Sequence, residues 1–349
     1  MSRILASAPG KAVLLGEYAV LDGAPALSLA INRRARIELL PSDDASGLIE
    51  APQLGIDPVG FELSEDGGIE WDCPEWPVFR RTGAIIEHLV ANARRRFGPF
   101  PPFRARIDTA ELYSGSIKLG LGSSAAVTVA LDAAITAHAS GRRAQESPVA
   151  VLERLLPVYR GSQGGHGSGI DLASSLFGGL IAYRLTGDRP VVRDMQLPSG
   201  LELLFIWTGT AASTPDLVAA WRRWSRDHAD KAAEIAVDMR RCCHEGLAAT
   251  EAGDAAELAR QLGVYGRILG TMGDCAGIDV VTRAHRRAME LADQCGARFK
   301  SCGAGGGDLG VAVAADADCL AELMEQLAAA GLEPIALTVD RHGIELTTA

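Results

Sequence analysis

The stretch SIKLGLGSSAAVTVAL, residues 116–131, places glycines and serines directly before an apolar run. Apolar side chains recur three and four positions apart from Val127 to Ile135, so we predict a helix from about residue 124. The first turn of a helix has backbone N–H groups without partners, and the helix dipole makes that end positive. Gly120 and Gly122 would allow close approach of backbone to a ligand. The loop is therefore predicted to bind an anion, most simply phosphate.

Three other interpretations of this loop are considered. For an isolated GxGSS, a helix start with serine caps is the commoner explanation. The run Gly120–Ala125 also satisfies GxGxxA, the dinucleotide fingerprint of NAD-dependent oxidoreductases, but no acidic residue ends a second strand about 20 positions later. The chain contains no GxxxxGK[ST], which excludes the usual P-loop. A different kind of phosphate loop is required.

Composition limits the expected partners. The chain has 349 residues, 48% of them hydrophobic, and a formal net charge of −10, so binding to nucleic acid or to anionic membranes is not expected. No run approaches the ~20 uncharged apolar residues that cross a bilayer, and the start lacks a signal peptide. The seven cysteines have no CxxC spacing, so neither a zinc site nor a disulfide framework is predicted. We expect a cytoplasmic protein, monomeric or homodimeric, that acts on small molecules.

Strand and helix patterns are mixed along the chain. The glycine, aspartate and proline of TGDRPVVRD (186–194) suggest a border between two domains, 1–187 and 188–349. Strands are predicted at 26–31, 34–40, 104–109, 178–184, 201–207 and 309–314, and helices at 80–97, 124–139, 147–159, 216–250, 280–295 and 317–330.

Two further glycine-bearing segments accompany the loop. APGKAVLLGEYAVLDGAPALSLAI (8–31) lies near the start and SCGAGGGDLGVAVA (301–314) near the end. Together with GLGSSAA, in this order, they resemble the three motifs of the GHMP kinase superfamily, which comprises galactokinase, homoserine kinase, mevalonate kinase and phosphomevalonate kinase. The resemblance spans nearly the whole chain. It implies a two-domain α+β fold with a βαβ-type N-terminal domain and a ferredoxin-like C-terminal domain, and it implies ATP and Mg²⁺ as cofactors.

The resemblance also implies roles for individual residues. The segment GSQGGHGSGIDLASSLFGG (161–179) is similar to the one that supplies the catalytic aspartate, Asp171 here, and Lys11 of the first motif is its catalytic partner. Without the motifs, Asp171 would be read as a helix cap and Lys11 as a surface charge. The implied metal site involves Ser124 and Gln163. The residues implied to bind the nucleotide phosphates are Lys118, Gly120, Leu121, Gly122, Ser123, Ser124 and Ala125.

The site for the phosphoryl acceptor is implied in the same way. Arg184, after the strand GGLIAY, is nominated for an acidic group of the acceptor, and Ser213 lies where a helix is predicted to begin. The lone His166 in its glycine-rich turn has the weakest claim. The full set of implied acceptor-binding residues is Glu17, Tyr18, His166, Ser168, Gly169, Arg184, Ser213, Gly305, Gly306 and Asp308.

Local details favour one branch of the superfamily. The run QGGHGSGID (163–171) is similar to the QGxxGSGxD of phosphomevalonate kinases, and GAGGGD ends in Asp308, where mevalonate kinases usually have glycine or another small residue. The segment WTGTAASTPDLV (207–218) also resembles phosphomevalonate kinases, although plain helix capping explains it as well. Mevalonate kinase or another superfamily kinase is the alternative. A ligand sensor of this fold without catalysis is disfavoured, because Lys11, Ser124 and Asp171 are all present.

Overall fold

The computed structural model describes residues 3–65, 67–72, 77–115, 117–141, 146–162, 167–210 and 212–348. Its helices are α1 (Pro77–Phe97), α2 (Ser123–Ser140), α3 (Pro148–Ser162), α4 (Ile170–Phe177), α5 (Thr214–Asp227), α6 (Ala229–Ala252), α7 (Ala255–Ala276), α8 (Arg283–Gln294) and α9 (Ala317–Ala329). Its strands are β1 (Ile4–Leu15), β2 (Ala26–Pro41), β3 (Ser46–Ala51), β4 (Ile56–Leu63), β5 (Ile69–Asp72), β6 (Phe103–Asp108), β7 (Tyr113–Ser114), β8 (Ile117–Lys118), β9 (Leu180–Thr186), β10 (Arg189–Met195), β11 (Glu202–Trp207), β12 (Arg298–Ser301), β13 (Leu309–Ala314), β14 (Glu333–Ile335) and β15 (Glu345–Thr348).

A large mixed sheet carries the first half of the chain. Its order is β10-β9-β2-β6-β3-β4-β5, and β1 pairs with both β2 and β15. The pairing of β1 with β2 shifts register between Pro9 and Gly10, where a regular ladder would continue. Such an irregularity bends a strand and turns its side chains toward a new direction. Lys11 follows it directly.

Helices α2 and α4 pack on β1 and β2. Helix α2 is buried on nearly all sides, and its many alanines, such as Ala126 and Ala130, let the sheet and its neighbours approach closely. This packing fixes the start of α2 beside β1. The glycine loop and the first motif are consequently adjacent.

A second sheet is built from the later part of the chain. Its strands follow the order β12-β13-β11-β14 and are all antiparallel to their neighbours. Helices α8 and α9 pack together over it, while α7 contacts β12 and β13. The predicted mixture of helices and strands in an α+β arrangement is confirmed. Within the described residues, no helix is both long and apolar enough to span a bilayer.

Most predicted elements are present; the differences are two strands that merge, one helix that divides and several elements that were not predicted. The strands 26–31 and 34–40 form one strand, β2, and the helix 216–250 is two helices that meet at His228. The prediction did not include β1, because its proline and glycine are atypical of strands. Helix α4 was also omitted, since its eight residues are too few to establish a period.

Helix α7 was not predicted because it contains four glycines. Glycine disfavours a helix by about 1 kcal/mol per residue relative to alanine. The structure supplies the compensation, since two of these glycines face strand β12: a Cβ added to Gly266 would lie 2.8 Å from the carbonyl oxygen of Phe299. A Cβ on Gly263 would likewise meet the Arg298 side chain at 2.8 Å. Tight packing against β12 therefore outweighs the low propensity.

The predicted domain border at residue 187 falls in the turn between β9 and β10. These strands pair with one another in the large sheet, from Thr186 and Arg189 to Leu180 and Met195. Strand β15 also joins the large sheet, through β1. We therefore propose that the border lies between β10 and β11 and that the end of the chain returns to the first unit.

Candidate active site

The glycine loop has the backbone that its sequence predicts. Gly120 and Gly122 both have φ of 74°, a conformation that favours glycine. Helix α2 begins immediately afterwards, with Gly122 as its N-cap and no capping bond from a side chain. The interpretation as a serine-capped helix start is therefore wrong. Lys11 N donates a hydrogen bond of 2.8 Å to Leu121 O, which ties the loop to β1.

Lys11 and Asp171 lie next to one another. The Lys11 ammonium is 3.8 Å from Asp171 Oδ1, and the lysine is buried while the aspartate is partly exposed. The stem of Lys11 crosses the glycine loop, because a Cβ added to Gly122 would lie 2.9 Å from Lys11 Cγ. Two residues 160 positions apart in the chain, together with the loop, thus form one site.

Hydrogen bonds from neighbouring side chains fix the turn that leads to Asp171. Gly169 is the N-cap of α4 with φ of 82°, so Asp171 stands in the first helical turn. The buried Tyr183 hydroxyl donates to Ser168 O, and Arg160 Nε donates to Gly167 O at 2.9 Å. Sequence reasoning did not identify Arg160 or Tyr183. These contacts fix the backbone of the turn directly before the aspartate.

The third motif reaches the glycine loop through Asp308. This residue has φ of 55°, uncommon outside glycine, and its carboxylate lies against Gly120: an added Cβ there would be 2.5 Å from Asp308 Oδ2. Gly305 and Gly306 do not line the pocket beside Lys11 and Asp171, although the preceding residues Gly303 and Ala304 do. Gly306 N donates a hydrogen bond of 2.9 Å to Val280 O. Burial raises the pKa of Asp308, opposed by its bond from Ala212 N and by the charges of Lys11 and Lys118.

Glu17 links the first motif to the third. Its Oε1 accepts hydrogen bonds from Lys300 Nζ at 2.5 Å and from Gly303 N at 3.2 Å. Tyr18 follows with φ of 60°, and its hydroxyl donates to Ala304 O at 2.6 Å. Sequence reasoning missed Lys300, because the strand RFKS is polar and gives no local sign that this lysine is buried. Glu17 and Lys300 join the two sheets at the site.

A single pocket gathers many of the predicted residues. Its walls include Lys11, Glu17, Tyr18, Ser168, Gly169 and Asp171. Thr214 and Pro215 of the first turn of α5 also line it, directly after Ser213, the N-cap of that helix. A smaller neighbouring cavity is lined by Lys118, Ser123 and Ser124 of the glycine loop. Lys11 lines the first cavity, and its stem contacts Gly122, which directly precedes the two serines that line the second.

Arg184 is a predicted residue that the structure does not bring to the pocket. Tyr183 and Arg184 are neighbours on β9, and side chains alternate between the faces of a strand. Tyr183 is buried beside the catalytic turn, so Arg184 faces outward, where its Nε donates to Gly23 O at 2.9 Å. The assignment of Arg184 to the acceptor therefore lacks support. Gln163 and His166 lie outside the described residues.

His285 lies buried beneath the third motif. It closes a capping box at the start of α8, where Thr282 and His285 bond each other's backbone N–H groups. Burial, helped by the nearby positive charge of Lys300, lowers the pKa of His285 to about 4. Because its ordinary value is about 6.5, the unfolded chain binds this proton more tightly than the native protein. The stabilisation is complete above pH 6.5 and is lost as the pH falls toward 4.

We expect the His285→Gln variant to lose less stability than the wild type between pH 7 and pH 4. Glutamine suits the same capping-box position but does not titrate. The difference between the two losses should be on the order of 3 kcal/mol in the free energy of unfolding. Urea unfolding at several pH values measures it, with the exposed His244→Gln as control. Parallel curves for His285→Gln and wild type would contradict the assignment.

Comparison with known proteins finds kinases of the kind that the three motifs resemble. No family model matches the chain. It is 29% identical to a phosphomevalonate kinase of Streptomyces sp. strain CL190 over 378 aligned positions, which cover 98% of both proteins. It is 27% identical to a mevalonate kinase of Thermococcus sibiricus, over 99% of this chain and 98% of the relative.

Among solved structures, the fold matches a Streptococcus pneumoniae phosphomevalonate kinase crystallised with phosphomevalonate and AMPPNP. The TM-score is 0.77 at 21% identity, over 96% of this chain and 99% of the other. The likeness confirms the expected two-domain α+β kinase fold. The chain thus combines three motifs that meet at one site with this fold, and over nearly its full length it is similar to two kinases of the GHMP superfamily.

Proposed function

We propose that this phosphotransferase transfers the γ-phosphoryl group of ATP to phosphomevalonate, giving diphosphomevalonate and ADP. The observation that carries the proposal is the position of Lys11. Its buried ammonium lies between the glycine loop, suited to the phosphates of ATP, and the pocket that contains Asp171. A phosphoryl group passing between the two cavities would pass this charge.

An anionic acceptor makes such a cation important. Both the phosphate of the acceptor and the triphosphate of ATP are negative, so their approach is opposed by charge repulsion. The second pKa of a phosphate monoester is about 6, so the attacking oxygen is largely deprotonated at neutral pH and needs little base catalysis. A fixed positive group near the reacting oxygens lowers the barrier as charge moves in the transition state. Lys11 is suited to that role, and Asp171 is suited to hold it in place.

The glycine loop supports ATP as the donor. Backbone N–H groups at the start of α2 and Lys118 at the rim offer positive partners to the phosphates. The serine hydroxyl of Ser124 and the Asp308 carboxylate are oxygen ligands of the kind that Mg²⁺ prefers. When bound, Mg²⁺ would neutralise charge on the transferred phosphoryl group. The AMPPNP complex of the pneumococcal structural neighbour supports the same donor.

Mevalonate is the second candidate acceptor. It would offer a hydroxyl group whose proton must be removed, and Asp171 is exposed enough to meet it as a general base. The mevalonate kinase of Thermococcus sibiricus keeps this alternative open. The GAGGGD motif and the similarity to the Streptomyces enzyme favour phosphomevalonate.

We expect ADP release to require phosphomevalonate and Mg²⁺ together. The assay compares phosphomevalonate, mevalonate, homoserine and a panel of sugars at equal concentration, each with ATP. Turnover with mevalonate alone would move the protein to the other branch of the superfamily. A fluorescence titration with NADH is the control for the oxidoreductase class, and a kinase should give no saturable signal.

A further inference from the structure

The Asp308 carboxylate lies against the glycine loop, where its negative charge would oppose the binding of a phosphate. A Cβ added to Gly120 would lie 2.4 Å from Asp308 Cγ and 2.5 Å from Oδ2. The carboxylate oxygen is therefore within about 4 Å of the Gly120 Cα, at the loop that faces the ATP phosphates. A phosphate bound at this loop would be repelled by the carboxylate, and the repulsion would be strong because the site is partly buried. A cation between them would reverse the sign of the interaction.

The backbone holds Asp308 at this position from three sides. Asp308 N donates to Thr210 O at 2.6 Å, and Asp308 O accepts a bond of 3.0 Å from Thr208 N. Its side-chain Oδ1 accepts from Ala212 N at 3.2 Å. The left-handed φ of 55° is a conformation that a non-glycine residue adopts at some energetic cost. Several contacts thus maintain a strained residue whose carboxylate points toward the anion loop.

The lysines nearby do not account for this arrangement. Lys11 and Lys118 both lie close enough to interact with the Asp308 carboxylate. Lys11 already has Asp171 as its ion-pair partner. If Asp308 served only as a counter-ion for the lysines, it would compete with ATP for them. A metal ion carried in by ATP would instead use both the carboxylate and the phosphates.

Mg²⁺ commonly binds through one or two carboxylates together with substrate phosphates. Within the described part of the chain, no group of three His, Cys, Asp or Glu side chains could hold a metal by itself. An ion at this loop would therefore depend on the nucleotide for part of its ligands. When the nucleotide supplies the other ligands, a single carboxylate beside the phosphates has its largest effect on the affinity for the metal ion.

We propose that Asp308 is a carboxylate ligand, direct or through one water, of the Mg²⁺ that accompanies the nucleotide. The inference rests on the proposed use of ATP but not on the identity of the acceptor. It assigns the last residue of GAGGGD to the metal rather than to the phosphoryl acceptor. It also explains why the third motif closes on the glycine loop: the metal would bridge the two segments.

The Asp308→Asn variant tests the role of the carboxylate charge while it keeps the local backbone and its hydrogen bond. Asparagine tolerates a left-handed backbone as aspartate does, and its carbonyl oxygen can still accept the bond from Ala212 N. Only the negative charge is removed. The matched control is Asp43→Asn, which removes one charge from an exposed turn between β2 and β3.

Calorimetric titration with AMPPNP, in the absence of any acceptor, measures nucleotide Kd with Mg²⁺ and with EDTA. For the wild type and for Asp43→Asn, we expect Mg²⁺ to strengthen binding by the same factor. For Asp308→Asn, binding in EDTA should be equal or tighter, while the gain from Mg²⁺ falls by about tenfold or more. An unchanged gain from Mg²⁺, or equal weakening under both conditions, would overturn the proposal.

Manganese binding provides a second, spectroscopic measurement on the same variant. In the presence of ADP, electron paramagnetic resonance reports Kd for Mn²⁺, which should rise about tenfold in Asp308→Asn. Asp308→Cys should bind Cd²⁺ more tightly than the wild type does while its affinity for Mn²⁺ falls, because thiolate prefers softer metals. Equal Cd²⁺ affinities in the cysteine variant and the wild type would count against direct ligation. A protein that passes these tests but shows no phosphomevalonate turnover would refute the acceptor assignment alone.

Discussion

Replacing Lys11 with alanine is expected to lower kcat by about 10²–10³-fold, the range for loss of one preorganised charge-stabilising group. The Asp171→Asn variant should lose less, because its proposed role is to position Lys11, 3.8 Å away, rather than to remove a proton. The KM for ATP should change less than kcat in both variants. Removing the exposed Lys231, whose ammonium pairs with its helix neighbour Glu234, is the control for lost positive charge.

Steady-state kinetics with phosphomevalonate measure these differences, together with the pH dependence of kcat/KM. The acid limb should fall near pH 6, the second pKa of the acceptor phosphate, and should stay there in Asp171→Asn. A larger loss in Asp171→Asn than in Lys11→Ala, with an acid limb that moves, would indicate direct base catalysis. That result would favour mevalonate as the acceptor.

Adding a methyl group at Gly122 is expected to weaken ATP binding by at least tenfold, about 1.4 kcal/mol. The new Cβ in Gly122→Ala would lie 2.9 Å from Lys11 Cγ and 3.1 Å from Lys11 Cε, so the catalytic lysine must move. It would also occupy space at the start of α2, where backbone N–H groups face the phosphates. Both ATP affinity and kcat should therefore decrease.

Gly141→Ala is a closely matched control. Gly141 ends the same helix with φ of 68°, so alanine meets a similar backbone cost there, but its Cβ would have no atom within 4 Å. We expect the two variants to unfold at similar temperatures, while only Gly122→Ala loses ATP affinity. Calorimetric titration and thermal unfolding measure the two properties. Equal ATP affinities would contradict a phosphate-binding role for the loop.

The sequence predicted the local elements whose periods are strong. Helix α2 was expected at 124–139 and spans Ser123–Ser140, and strand β13 was expected and found at 309–314. Strand β1 and helix α7 were missed because proline and glycine weaken the local signal. In both elements, the compensating interactions come from distant segments, so no window of sequence contains them.

The residue types of the site were also predictable, while their distances were not. Motif spacing identified Lys11, Asp171 and the glycine loop as members of one family pattern. The pattern could not distinguish Tyr183 from Arg184 at the pocket, because the face of a strand depends on its register in the sheet. Nor could it identify Lys300 as the partner of Glu17, since these residues are 283 positions apart.

By itself, the sequence predicted the similarity to GHMP kinases, the α+β class and the helix that follows the glycine loop, because each follows from residue types at short, fixed spacings. Only the tertiary structure decided which charges meet. The irregular pairing of β1 brings Lys11 to Asp171, and the turn after β12 brings Asp308 to Gly120. Electrostatic interactions fall with distance and strengthen with burial, and both quantities are set by long-range packing rather than by any local run of residues.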